Sequence, residues 1–177
     1  MTVYIDADSC PAEVRDYVIQ FCNQKDIKLV LAANHEISST DNHLFQMVIC
    51  SKEKDAADNY IISNACSALF ETNSCADDRY GYSLEKKITS ADCIKAGSDL
   101  VITRDLLLAK KLVEKNIACI NDRGTDFISE NIEKLLKERE EDLMYVSMGL
   151  VKHSKRTTFS KKEFSNFLDT FSRTLAL

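Results

Sequence analysis

The chain has 177 residues, 45% of them apolar, and a formal net charge of −5. That size and apolar content fit one domain of ordinary dimensions and exclude a disordered chain, while the acidic balance argues against passive, charge-driven binding of nucleic acid. No apolar run is long enough to span a membrane, and the chain reads straight into a strand without a signal peptide's basic start and longer apolar run, so a cytoplasmic protein is expected.

The first element is a short strand, Val3 to Ile5. Pro11 fits the first position of a helix, and Val14, Tyr17, Val18, Phe21 and Cys22 follow at helical spacing on one apolar face. Ile27 to Ala33 is a continuous apolar run with one lysine, the pattern of a buried parallel strand. A polar loop runs from Asn34 to His43, and Met47 to Cys50 is a third strand. Asp55 opens a second helix with Ala57, Tyr60, Ile61, Ala65, Ala68 and Leu69 on its inner face. Glu71 to Ser83 interrupts the pattern with the turn formers Asn73, Ser74, Asp77, Asp78 and Gly81. A helix is then predicted from about Leu84 to Ala96, closed by Gly97.

Leu100 to Thr103 is a strand, Leu106 to Val113 a helix and Ile117 to Ile120 another strand, left by a turn at Arg123-Gly124. A charged helix is predicted from Ser129 to about Glu140, continued after a bend by Leu143 to Leu150. Ser160 and Glu163 form a capping-box pattern that starts a last helix, with Phe164, Phe167, Leu168 and Phe171 facing the body. Strands alternate with helices as far as residue 120 and the last third is helical, which predicts a parallel central sheet with helices on both faces. With one proline and four glycines there is no evident linker, so residues 1–177 read as one domain.

Six aspartates stand out. Asp6 and Asp8 follow the first strand, Asp55 and Asp58 fall at a helix start, and Asp99 and Asp105 flank a later strand. Ligands of open α/β sheets bind at the carboxyl ends of the strands. Carboxylates gathered there repel one another unless a proton or cation intervenes, and hard divalent cations take such oxygen donors.

The seven cysteines, Cys10, Cys22, Cys50, Cys66, Cys75, Cys93 and Cys119, show no metal-ligand spacing and read as reduced, mostly buried residues. Cys75 lies in a polar stretch and reads as the exposed one, and Cys10 reads as packing. No phosphate-binding glycine loop is present.

Four blocks carry a resemblance: Asp6-Ala7-Asp8-Ser9-Cys10-Pro11, Asp55-Ala56-Ala57-Asp58-Asn59, Asp99 to Asp105 with Leu108-Ala109, and Arg123-Gly124. In residues and order they resemble the YaiI/YqxD family of uncharacterised bacterial proteins, over most of the chain. Ser9 stands where alanine is usual in that family. The family passes from the second block to the third in far fewer residues, which implies an insertion at about residues 66–91; the helical last third, about residues 128–177, reads as a C-terminal extension.

The family pattern is similar in turn to PIN-like nuclease domains, whose strand-one aspartate, helix-opening acid and Thr-x-Asp match Asp6, Asp58, and Thr103 with Asp105. The resemblance implies a PIN-like three-layer α/β/α fold and a Mg²⁺ or Mn²⁺ site. The function expected on this basis is metal-dependent hydrolysis of RNA or another phosphodiester. Alternatives are a non-catalytic module that binds metal or nucleic acid, and a hydrolase of small phosphate esters.

Phosphodiester hydrolysis needs an attacking water, neutralised phosphate charge and a stabilised leaving oxygen. Asp6, Asp58 and Asp105 are the first candidates for catalysis and metal binding, with Asp8, Asp55 and Asp99 as further metal ligands. Thr103, Arg104 and Arg123 are the candidate substrate contacts. The plainer readings remain beside these: Asp55 as a helix-dipole partner, Asp8 or Ser9 as a cap, Asp99 as a turn residue, Arg123-Gly124 as a turn. Lys152, Lys155, Arg156, Lys161 and Lys162 form a basic cluster that reads either as solvated surface or as a patch for nucleic-acid phosphates.

Overall fold

The computed structural model describes residues 1–37, 44–51, 53, 55–67, 88–150 and 158–175. Most of residues 66–91, with Cys75, lies outside the described residues, as do His43, His153, Lys152, Lys155 and Arg156.

Six strands form one sheet in the order β3-β2-β1-β4-β5-β6. They are β1 (Thr2–Asp6), β2 (Lys28–Ala33), β3 (Phe45–Ile49), β4 (Leu100–Ile102), β5 (Ala118–Ile120) and β6 (Asp126–Phe127). The first five are parallel, and β6 returns antiparallel beside β5, an element too short for its alternation to be read from the sequence.

The helices are α1 (Ala12–Gln24), α2 (Ala56–Asn64), α3 (Ser90–Lys95), α4 (Leu106–Glu114), α5 (Ser129–Ser147) and α6 (Lys161–Thr174). Side-chain direction alternates along each strand, and this divides the core in two. Val3, Ile5, Leu29, Leu31, Leu100, Ile102 and Ile120 pack with Val14 and Val18 of α1, Cys93 of α3, and Phe167 and Phe171 of α6. Tyr4, Val30, Ala32, Val101 and Cys119 pack on the opposite face with Ile61 of α2, Leu108 and Leu112 of α4, and Ile132 of α5. The result is the expected three-layer α/β/α architecture. Among the described residues no helix is long and apolar enough to cross a membrane.

Pro11 is the residue before α1 rather than its first: its ψ of 147° is extended, and the helical backbone begins at Ala12. The bend expected after Glu140 is absent. No glycine or proline falls between Ser129 and Ser147, so α5 runs unbroken to its Schellman closure, where Gly149 donates to the Val146 carbonyl and Leu150 to that of Tyr145, each at 3.0 Å.

Docking of α6 depends on one glycine. Gly124 has φ 88°, and a Cβ there would lie 2.4 Å from the Asn166 carbonyl oxygen. Thr170 Oγ1 donates to the Gly124 carbonyl at 2.8 Å. The turn is held by Asn121 Oδ1, which accepts from the amides of Arg123 and Thr125. Full burial of Phe167 and Phe171 then stabilises the α6 contact by about 1.5–3 kcal/mol per side chain.

Candidate functional site

The strand order reverses between β1 and β4, with β2 and β3 to one side and β5 and β6 to the other. The crevice at such a switch point lies beyond the carboxyl ends of these two strands. Asp6 ends β1, and Thr103, Arg104 and Asp105 follow β4. Ile5 is paired with Ile102, so the next residues, Asp6 and Thr103, emerge side by side on the face that α2 and α4 cover.

Asp6 is 6% exposed. Its Oδ2 accepts hydrogen bonds from Ser9 Oγ at 2.7 Å and Thr103 Oγ1 at 2.9 Å. Burial raises its pKa above the ordinary carboxylate value; the two hydroxyls oppose that rise, and the charges of Asp8 and Asp105 add to it. Thr103 Oγ1 in turn accepts from the Asp105 amide at 3.0 Å. One buried hydroxyl therefore fixes both carboxylate-bearing segments.

Asp105 caps α4. Its Oδ1 accepts from the amides of Leu107 at 2.7 Å and Leu108 at 3.3 Å, which leaves Oδ2 outside those bonds. Asp58, in the first turn of α2, is half-buried. Its pKa is raised from 3.8 to about 6, first by burial, then by the charges of Asp105, Asp6 and Asp55, with Lys111 opposing. Asp55 is exposed just before α2, in the left-handed region at φ 60°, and its side chain makes no cap bond. Asp8 accepts from the Asn34 amide at 2.9 Å and lies 2.9 Å from His35 Nδ1.

These five aspartates, Asp6, Asp8, Asp55, Asp58 and Asp105, line one cavity of about 550 Å³. Glu53 adds a sixth carboxylate; Arg104 and Arg139 are its two guanidinium groups, and Ala57 and Leu106 give part of its apolar surface.

Two of the expected site residues are elsewhere. Asp99 stands at the opposite end of the sheet, before β4, where it accepts from the amides of Thr2 at 2.6 Å and Cys66 at 3.0 Å. It ties the starts of β1 and β4 together and does not line the cavity. Arg123 is also outside it: Nη1 pairs with Glu163 Oε1 at 3.1 Å beside α6, and Nε is buried without a partner among the described residues. Arg104 does line the cavity, and its fork grips Asp122 through Nε at 3.2 Å and through Nη2.

Asp122, Glu53 and Arg139 are additions to the residues expected from the sequence. Asp122 follows β5 as Asp6 ends β1, so the same strand-end signal was present. Arg139 carried none, because its place depends on the packing of α5 against α4, where Lys110 meets Glu133 at 2.7 Å.

Among the described residues no three His, Cys, Asp or Glu side chains are arranged to hold a single ion. Asp6, Asp58 and Asp105 share the cavity without closing on one point, because Asp6 Oδ2 is turned to hydroxyls and Asp105 Oδ1 to the amides of α4. The donor set is all oxygen, as a hard cation requires, and Mg²⁺ commonly takes only one or two direct carboxylates. Cys10, which sits beside this segment, is buried, and its thiol pKa is raised by that burial and by Asp122. Both the burial and that shift keep the thiol protonated. Cys22, Cys93 and Cys119 are likewise buried and free, Cys50 is half-buried, and Cys66 is exposed.

A family model described as "Uncharacterized BCR, YaiI/YqxD family" matches residues 4–68 and 91–177. A "UPF0178 protein" from Treponema denticola is 32% identical over 96% of this chain and 90% of its own length. Another, from Psychromonas ingrahamii, is 30% identical over 99% of this chain and 95% of its own. A third, from Treponema pallidum, is 31% identical over 99% and 82%. No solved structure gives a significant match.

Proposed function

The chain belongs to the YaiI/YqxD family, and from that premise we propose that it is a divalent-metal-dependent phosphodiester hydrolase of RNase type with a PIN-like core. The observation that carries this reading is the meeting of five aspartates, from three separate segments, in one cavity at the switch point of a parallel sheet. Such a cluster raises the free energy of the metal-free fold, as the elevated pKa of Asp58 indicates, and a cation is the partner that relieves it.

Asp6 and Asp58 would hold Mg²⁺ or Mn²⁺ directly, with Asp105, Asp8 and Asp55 acting through water. The ion supplies charge neutralisation and Lewis acidity at the phosphate. The chain's own residues do the rest. Thr103 and Ser9 keep Asp6 in one rotamer, Asp105 starts α4 at the cavity wall, and Arg104 offers hydrogen bonds to phosphate oxygens.

One observation favours a second reading, a binding module without catalysis: no three of the described acidic side chains close on one point. A single experiment separates the two. A mixed pool of RNA and DNA oligomers is incubated with the protein in Mn²⁺ and in EDTA, alongside Asp6→Asn. Cleavage in Mn²⁺ alone, lost in the variant, supports the hydrolase. Retention of oligomer without cleavage supports the binding module.

A further inference from the structure

Arg104 lines the cavity while its side chain is held by a buried carboxylate, that of Asp122. Asp122, two residues after the end of β5, is 1% exposed, so its carboxylate is buried. Both of its oxygens are taken by Arg104, Oδ1 by Nε and Oδ2 by Nη2, which is the fork-to-fork geometry of a guanidinium-carboxylate pair. The arginine side chain is nonetheless 43% exposed and lines the acidic cavity. A guanidinium has five N–H groups. Two are spent on Asp122; among the described residues the donors on the remaining edge have no other partner, and the buried carboxylate sets their orientation.

A carboxylate buried this fully is expensive unless it is paired, and in proteins an apolar pair of similar volume often stabilises the fold as well or better. Packing alone therefore gives no reason for it. The pairing does something packing cannot: it fixes the orientation of a permanent cation in the wall of a cavity lined by carboxylates. Arg139 of α5 reaches the same cavity from a separate element and is exposed. Two guanidiniums on different elements match a ligand with more than one phosphate in extended array.

We infer that Asp122 is a positioning residue that fixes Arg104 as a phosphate clamp, that Arg139 is a second phosphate contact, and that the ligand so recognised is a single-stranded polynucleotide backbone. The inference deepens the hydrolase reading and rests on it for the place of the scissile phosphate, but binding through the clamp does not require cleavage. Because the clamp holds a planar fork, lysine does not replace Arg104: it keeps the charge and loses the geometry.

The test is equilibrium binding of a short labelled single-stranded RNA at several salt concentrations, in Ca²⁺ and in EDTA, with inorganic phosphate as competitor. The melting temperature of every variant is recorded. Arg104→Lys keeps a cation beside Asp122 and is expected to fold. It should weaken RNA binding about tenfold with little change in the salt slope. Asp122→Asn should do the same, by releasing an arginine that still bears its charge. Arg139→Ala should weaken binding and lower the salt slope by about one, the loss of one phosphate contact.

Wild-type affinity in Arg104→Lys overturns the clamp, as does a fall in melting temperature with unchanged affinity of the folded protein. Full competition by inorganic phosphate at concentrations matching the RNA also overturns it, in favour of a site for a single small phosphate. The hydrolase reading fails separately: if Mn²⁺ yields no cleavage while the three variants bind as expected, the clamp stands and the reaction does not.

Discussion

Asp58→Asn should make the metal-free protein more stable at neutral pH, which is the reverse of what most substitutions at a half-buried residue do. The pKa of Asp58 is raised from 3.8 to about 6, so the folded state holds this proton more tightly than the unfolded chain does. Between those two values the native protein binds more protons than the unfolded one, and stability falls as pH rises. By pH 7 the whole penalty is present; below about pH 4 it is gone.

A shift of roughly two units corresponds to at most about 3 kcal/mol. Asp58 is half-exposed, so solvent screening reduces this to about 1 kcal/mol. Asparagine removes the charge at nearly constant volume. In EDTA at pH 7 it should raise the melting temperature by about 2–4 °C for a chain of this size, and the gain should vanish near pH 4. Millimolar Mn²⁺ should reverse the order, because wild type gains by mass action and the variant gains less. Thermal denaturation across this pH range, with and without Mn²⁺, reads all three outcomes. A variant less stable than wild type in EDTA at pH 7, or a difference independent of pH, would refute the electrostatic account of the cavity.

Thr103→Val removes the hydroxyl that donates to Asp6 and accepts from the Asp105 amide; it should cost about 2–3 kcal/mol and lower the melting temperature by roughly 5–10 °C, and an unshifted transition would show that this hydroxyl does not join the two segments. Gly124→Ala forces a side chain into φ 88° against the Asn166 backbone; a loss of at least about 2 kcal/mol is expected by denaturant titration, and stability near that of wild type would mean α6 can shift freely. Replacing Lys152, Lys155 and Arg156 together by alanine should weaken RNA binding and lower its salt slope by about one per lost phosphate contact; an unchanged slope would return that cluster to ordinary surface.

The parts of the fold that follow from local chemistry were legible in the sequence. The apolar run through Leu29 to Ala33 and the spacing of Val14, Val18 and Cys22 identify a buried strand and the helix before it, because each element buries a face that its own periodicity defines. The antiparallel β6 was not legible: two residues carry no period, and their direction is set by the Asn121 turn and by Gly124 fitting beneath α6.

At the site, a strand-end aspartate is readable because the switch point fixes where such residues meet. Asp6 and Asp105 reach one cavity on that logic, and Asp58 joins them from the first turn of α2. Asp99 lies at the far end because it precedes its strand, and the sequence shows only that it is near one. Arg123 points to Glu163 for the same kind of reason: adjacency to a block of site residues says nothing about which face a turn residue takes. The role of Asp122 is visible only in three dimensions, since its partner is 18 positions away across a strand and a helix.

Mn²⁺ binding to wild type and Asp6→Asn by isothermal titration calorimetry at pH 7 tests most directly the proposal that the acidic cavity takes a divalent cation. Saturable binding to wild type at or below millimolar Mn²⁺ is expected, with its loss in the variant and the variant still folded. Wild type that takes up no Mn²⁺ in that range, or a variant that binds it as well as wild type does, would contradict that proposal.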